Sequence, residues 1–419
     1  MKDTILKTAL AYALGSLIAQ IINLIAVFIF MRELTLAEFG LYGLVFECFA
    51  LLQMVVFNSF RNIYLQDFRL GKVDLSEKVF TQLTLGSVIL VLVSILCVFI
   101  FKINLNLSIF LFLSLFLNGL SIPIFAKFLI ENKRFILISK DILISIFLLA
   151  TAYYTTRSNT RFDIQLIIIM QIMISGIVSF LFFLFYFKKG LFSISIFKFR
   201  LDLFRSVSVF LGIFFINSFY NKMAVIAFNN FGNVIFLAIY LGALKFISPF
   251  MFVNNALVQA YIPRFISEDF KGFESKGFFH FFLPAIFISI CIVTFFPLAL
   301  NILGLEKYYQ SYDVVKILVI YLVAIFIYSP LSNFININGG QKIVLSTNFF
   351  VFLCYILILF LLIEFNIFSP KAVAASYVFL ETLIILIYCI YLKNKLTVSP
   401  LYIISPFMLW TCLFFSLLY

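Results

Sequence analysis

Apolar residues run in long stretches along almost the whole chain, separated by short polar gaps. They show neither the strict alternation of a barrel strand nor the narrow stripe of a soluble helix. A bilayer crossing needs roughly 20 mainly apolar residues. Stretches of that kind fall at residues 8–31, 39–60, 79–101, 105–126, 136–156, 164–187, 207–229, 234–260, 279–303, 314–335, 343–363, 372–392 and 399–418. The pattern predicts twelve transmembrane helices and a thirteenth, shorter one at the C-terminal end. Helices rather than strands follow because the runs are about twice the length of a barrel strand.

Composition excludes the alternatives. Of 419 residues, 64% are hydrophobic and 11% charged, with a mean hydropathy of +1.16. Soluble domains are about 45–50% apolar and about 25% charged, so a water-soluble fold is out. The basic residues form no run suited to nucleic acid. Cys48, Cys97, Cys291, Cys354, Cys389 and Cys412 lie inside apolar stretches without paired spacing, so neither a disulfide framework nor a metal site is expected. His280 alone is too little for metal chemistry. The apolar stretch after Lys7 is too long for a signal-peptide core and reads as the first span.

The net charge of +12 encodes topology. With the N-terminus in the cytoplasm, the inward gaps carry 21 Lys and Arg and the outward gaps 7, while Lys222 and Lys245 lie inside spans. That bias over short loops is the positive-inside pattern. The stretch 191–206, with basic residues among Phe192, Phe197, Phe199 and Phe204, reads as a connector lying on the inner membrane surface. It divides the chain into an N-terminal lobe (1–190, spans one to six), a C-terminal lobe (207–395, spans seven to twelve) and an added helix (396–419). Two halves of equal orientation predict a repeat about an axis along the membrane normal. Tyr42 with Glu47 five residues on, and Tyr240 with Lys245 five residues on, fit such a repeat.

Charges deep in a span cost at least about 2.5–3.5 kcal/mol each and face protein or water. Glu47, Lys222, Lys245 and Glu381 qualify. Two readings stay open: structural ion pairs, or a polar cavity whose second half is cationic. Arg32, Arg61 and Arg264 sit at span ends, where snorkelling to the interface is the plain alternative to a role at a cavity mouth. Tyr42 and Tyr240 fit an aromatic belt. Pro249 and Pro330 are expected to kink their helices. The run from Pro330 to Gly339 and Gly340 is expected to unwind the inner end of the tenth span into a hinge. Ala11, Gly15 and Ala19 form a small-residue stripe for close packing. Gly339-Gly340-Gln341-Lys342 lacks the spacing of a phosphate-binding loop, and the outer loops are too short to present an acid/base constellation.

Met31-Arg32-Glu33-Leu34 with Glu38-Phe39-Gly40-Leu41-Tyr42 resembles the first helical hairpin of Wzx-type polysaccharide repeat-unit flippases of the MOP exporter superfamily. Phe231-Gly232 through Tyr240 to Lys245, Ile262-Pro263-Arg264-Phe265 with Glu268-Asp269, and Asn338-Gly339 to Lys342 resemble the second-half signatures. Lys222 stands where many members carry an acid, and the thirteenth helix adds to their usual twelve. The resemblance implies an all-α polytopic protein of two six-helix lobes in a V, as in MOP and MATE transporters. It implies transport of undecaprenyl-pyrophosphate-linked oligosaccharide to the outer leaflet of the bacterial inner membrane. Lys222, Lys245, Arg61 and Arg264 would face the anionic head. It implies no cofactor, coupling to a proton or other ion gradient, and a polysaccharide polymerase and chain-length regulator as partners. An ion-coupled drug exporter of the same fold and a membrane-embedded oligosaccharide polymerase or ligase are the alternatives.

Overall fold

The computed structural model describes residues 2–69, 86–92, 95, 98–122, 124–125, 128, 134–157, 164–187, 201–265, 275–338, 340–393 and 398–418. The third expected span, the 191–206 connector and Gly339 lie wholly or partly outside them. So do the side chains of Ala11, Gly15, Arg61 and Arg264. The described residues form α1 (Lys2–Glu33), α2 (Leu36–Arg69), α3 (Leu105–Leu120), α4 (Arg134–Arg157), α5 (Ile164–Phe187), α6 (Leu201–Phe231), α7 (Val234–Ile247), α8 (Met251–Phe265), α9 (Ser275–Leu303), α10 (Ser311–Ile337), α11 (Gln341–Glu364), α12 (Pro370–Lys393) and α13 (Pro400–Leu418). Nine stretches among the described residues are long and apolar enough to cross a membrane, one of them the C-terminal helix at Pro400–Leu417. The chain is an all-α polytopic membrane protein. It forms two compact units, Met1–Ile226 and Ala227–Tyr419, and α6 runs from the first into the second.

In the first unit α1 packs along α4, α5 packs on both α3 and α4, and α2 touches α3 and α5. Ala19, Ala26 and Phe30 are the buried side of α1, whereas Ile18, Ile21 and Ile25 are exposed to lipid. Lipid tails give no hydrophobic drive for helices to associate, so close contact and polar bonds hold them together. Both are present where α3 meets α5. A Cβ on Gly176 would lie 2.8 Å from the Ser114 backbone. Ser114 Oγ donates to the Ile172 carbonyl at 2.6 Å, and Asn118 Nδ2 donates to Ser175 Oγ at 3.3 Å. Ser179 Oγ donates to Asn118 Oδ1. In the second turn of α4, Lys140 is buried with its ammonium 4.0 Å from the Phe125 ring centre, a cation–π contact.

In the second unit α10 is the centre, packed by α7, α8, α9, α11, α12 and α13. Within the protein 78% of its span is buried, against 17% of the α9 span. The chain enters α10 from a 3₁₀ turn, Glu306–Tyr308. Tyr308 is fully buried against Gly242 of α7, where a Cβ would lie 2.9 Å from its ring. Burial pushes the Tyr308 hydroxyl well above its usual range. Ser311 Oγ then donates to the Ile239 carbonyl at 2.9 Å. At the head of α10, Asp313 accepts from Lys316 at 3.0 Å and from Lys371 of α12 at 2.6 Å. α13 docks through Trp410, which donates to Thr382 Oγ1 at 2.5 Å and stacks on Phe379.

The prolines divide into two kinds. Pro249 breaks its span as expected: a 3₁₀ turn at Ser248–Phe250 separates α7 from α8. Pro330 does not unwind α10, which stays α-helical to Ile337. The break comes afterwards, where the Gly340 amide donates back to the Ile335 carbonyl at 2.8 Å. Gly340 is required there, because a Cβ would fall 2.4 Å from the Ile335 side chain and 3.0 Å from its carbonyl oxygen.

Candidate functional site

Glu47 and Lys222 form an ion pair inside the first unit. Helix geometry explains the meeting. Glu47 follows the start of α2 by eleven residues and Lys222 precedes the end of α6 by nine. At 1.5 Å per residue both lie about 14–16 Å from those ends, near mid-span. The two side chains keep 18% and 13% of their surface exposed, Lys222 the larger share. Asn217 and Asn221 add polar groups on the same stretch of α6, with Asn221 Nδ2 donating to the Asn217 carbonyl at 2.9 Å. The Lys222 ammonium is thus held at this depth by a carboxylate of the protein itself.

The two hairpins that carry these charges repeat each other. α1 ends at Glu33 and α2 starts at Leu36; α6 ends at Phe231 and α7 starts at Val234. Thr35 caps α2 in a reciprocal pair with Glu38, Thr35 N to Glu38 Oε2 at 2.8 Å and Glu38 N to Thr35 Oγ1 at 3.3 Å. Asn233 caps α7, accepting from Ile235 N at 3.0 Å. Leu34 N donates to the Phe30 carbonyl at 2.9 Å, and Gly232 N to the Phe228 carbonyl at 3.1 Å. Phe30 and Tyr42 have ring centres 5.3 Å apart, Phe228 and Tyr240 5.4 Å. The helix ends, the capping positions and the aromatic pairs recur 198 residues later, and so does the charged position, as Glu47 and then Lys245; Glu38 does not, its counterpart being Phe236. The repeat thus sets opposite charges at equivalent positions along α2 and α7.

Tyr42 and Tyr240 are not belt residues. Both are buried, and Tyr42 donates to Gln171 Oε1 of α5 at 2.8 Å. A hydroxyl with a partner in the interior has no need of the interface. Arg32 is exposed at the last turn of α1, its Nε 3.7 Å from the neighbouring Glu33 carboxylate, a contact worth little in water. Arg61 and Arg264 lie on α2 and α8. Lys245 is half-buried on α7, and Glu381 is 1% exposed on α12.

Sequence reasoning missed what surrounds Glu381. Tyr377, one turn before Glu381, meets Tyr321 of α10 edge-on with ring centres 5.2 Å apart and Tyr355 of α11 at 5.0 Å. The signal was the four-residue spacing of Tyr377 and Glu381, which sets both on one face of α12.

No protein-family model matches the chain, and no curated protein does. Among solved structures, the inward closed conformation of the lipid II flippase MurJ superposes with a TM-score of 0.70, covering 97% of this chain and 92% of that one at 14% sequence identity. At that identity the likeness is one of architecture: the chain is a multi-pass membrane protein with a MurJ-like helical fold.

Proposed function

We propose that this protein is a flippase for undecaprenyl-pyrophosphate-linked oligosaccharide repeat units. It works in the bacterial inner membrane with its N-terminus in the cytoplasm and supplies O-antigen or another surface polysaccharide. The observation that carries the reading is Lys222, an ammonium near mid-span with Glu47 as its counter-ion, on the fold of a lipid-linked flippase. A pyrophosphate head entering from the inner leaflet displaces the Glu47 carboxylate from Lys222. The exchange trades one anionic partner of Lys222 for another and keeps the ammonium paired. Lys245, at the equivalent position of the second repeat, is a second cationic contact for the head in this reading, while the polyprenyl tail stays in the bilayer. Arg61 and Arg264 serve the inner mouth and Arg32 the outer. Pro249 and Gly340 lie where helices break, and with Pro330 and Gly339 they are the hinge positions of this reading. The protein is a transporter rather than an enzyme. It hands its product to a polysaccharide polymerase and chain-length regulator.

Gene deletion tests this directly: lipid-linked repeat units should accumulate on the inner leaflet. Their accumulation on the outer leaflet would indicate a polymerase instead. In a complemented deletion strain, Lys222→Ala and Lys245→Ala should each cut surface glycan about tenfold or more while the protein still inserts, the loss of one charge-assisted contact of about 1.5–3 kcal/mol. Normal display from both variants would overturn the role of the lysines.

A further inference from the structure

Lys140 of α4 is a buried charge with no part in the site above. It follows the start of α4 by six residues and stands two residues inside the apolar span that opens at Ile138, about 3 Å past its edge. A lysine at that level ordinarily extends its stem and carries the ammonium out to water. Lys371, at a span end of the second unit, does so, its side chain 55% exposed. Lys140 does the reverse: it is 8% exposed, and its ammonium lies 4.0 Å from the Phe125 ring centre. That ring is braced from behind. Phe182 of α5 stacks parallel to it with centres 6.3 Å apart. Tyr186, one turn further along α5, meets Phe182 at 5.2 Å and Phe128 edge-on at 4.7 Å. Among the described residues no carboxylate or carbonyl accepts from this ammonium. Asp141 comes next in the chain but is exposed, and consecutive helix residues do not face each other. Leu143 and Phe147, three and seven residues on, are exposed to lipid, and that spacing sets them on the Lys140 side of α4.

We propose that Lys140 and the lipid-facing strip beside it form a binding site for an anionic phospholipid. The ammonium holds the phosphodiester, and Leu143 and Phe147 lie along an acyl chain. Binding needs no transported substrate; only the leaflet, the inner one, rests on the orientation proposed above. An ammonium carries three donors and no acceptor. The Phe125 ring attracts its charge through the face of the π-system but gives those donors no lone pair, so they remain for an oxygen anion. At the edge of the hydrocarbon the oxygen anion at hand is a lipid phosphate, and a bond to it from an ammonium is about twice as strong as a neutral one. A protein carboxylate would have closed the charge off, as Glu47 does for Lys222. The aromatic wall instead holds the lysine in place before any lipid arrives, which removes part of the ordering cost of binding. Net headgroup charge decides between lipids, because a zwitterionic headgroup brings its own ammonium to compete with Lys140 for the phosphate.

Thermal unfolding of the purified full-length protein in detergent, titrated with dioleoylphosphatidylglycerol, tests the site, since a ligand of the folded state raises the midpoint. The wild type should show a saturable rise, with dioleoylphosphatidylcholine about tenfold weaker and inorganic phosphate without effect. Lys140→Met keeps the stem and removes the charge, and should need about tenfold more phosphatidylglycerol for half the rise, the loss of one charge-assisted contact. Native mass spectrometry should count one tightly retained phosphatidylglycerol fewer on that variant. Leu143→Ala with Phe147→Ala changes only lipid-exposed positions, so it tests the strip even if Lys140→Met fails to fold. It should weaken phosphatidylglycerol while the preference over phosphatidylcholine stays. Wild-type affinity in Lys140→Met, or in the strip variant, overturns the site. An equal response to the two lipids overturns the anionic headgroup, and an equal response to inorganic phosphate overturns the lipid. Binding of phosphatidylglycerol by a protein that flips nothing leaves this site standing and removes the flippase reading.

Discussion

The Glu47–Lys222 pair joins residues 175 positions apart in sequence, and each alone would be a charge stranded in the bilayer. Removing one partner therefore costs more than removing both. Glu47→Gln and Lys222→Met should each lower the thermal midpoint in detergent, and the double variant should recover part of the loss. The coupling energy from such a cycle should fall within about 0.5–3 kcal/mol, and additive losses would show that the pair contributes nothing. Glycines give a second test at this scale. Gly176→Ala presses a methyl group against the Ser114 backbone, which has no rotamer to retreat into. Overpacking of that kind costs roughly 1–3 kcal/mol, so Gly176→Ala should melt lower than Gly212→Ala, where an added Cβ meets nothing within 4 Å.

Among the elements, the spans were legible because a bilayer demands length and hydropathy together, and few other constraints produce both. Wherever the described residues reach, helices fall where those stretches were drawn, and the added C-terminal helix is one of them. Burial was not legible. In water a buried face announces itself by being apolar, but here the lipid-facing side is apolar too. Phe287, Ile290 and Leu298 of α9 are exposed while Val315, Leu318 and Phe326 of α10, equally apolar, are buried. Tyr42 and Tyr240 were misplaced for the same reason, since a tyrosine near a span end looks identical in a belt and in a core. The docking of α13 hangs on Trp410. Trp410→Phe removes the bond to Thr382 but keeps the ring against Phe379, whereas Trp410→Ala removes both. Limited proteolysis should therefore release α13 much faster from the alanine variant than from the phenylalanine one.

For the molecule as a whole, the charge count makes a topology claim that labelling settles. A cysteine introduced at Lys102 should react with an impermeant reagent added outside intact cells, and one at Lys342 should react only after the inner side is opened. The reverse pattern would invert the chain and every loop with it. The constant 198-residue interval gives a further consequence for the two caps. Thr35 and Asn233 both cap at equivalent turns, Thr35 accepting from the third residue on and Asn233 from the second. Alanine at either should cost about 1 kcal/mol in the melting equilibrium. One residue earlier an exchange between the halves fails in one direction. Leu34→Gly only empties space, but Gly232→Leu drives a side chain toward the Phe228 carbonyl and the Phe368 ring, 2.9 and 3.1 Å from where its first carbon would sit. Spare-part compatibility between the halves thus ends at that glycine. It marks a place where the second copy can no longer be rebuilt from the first.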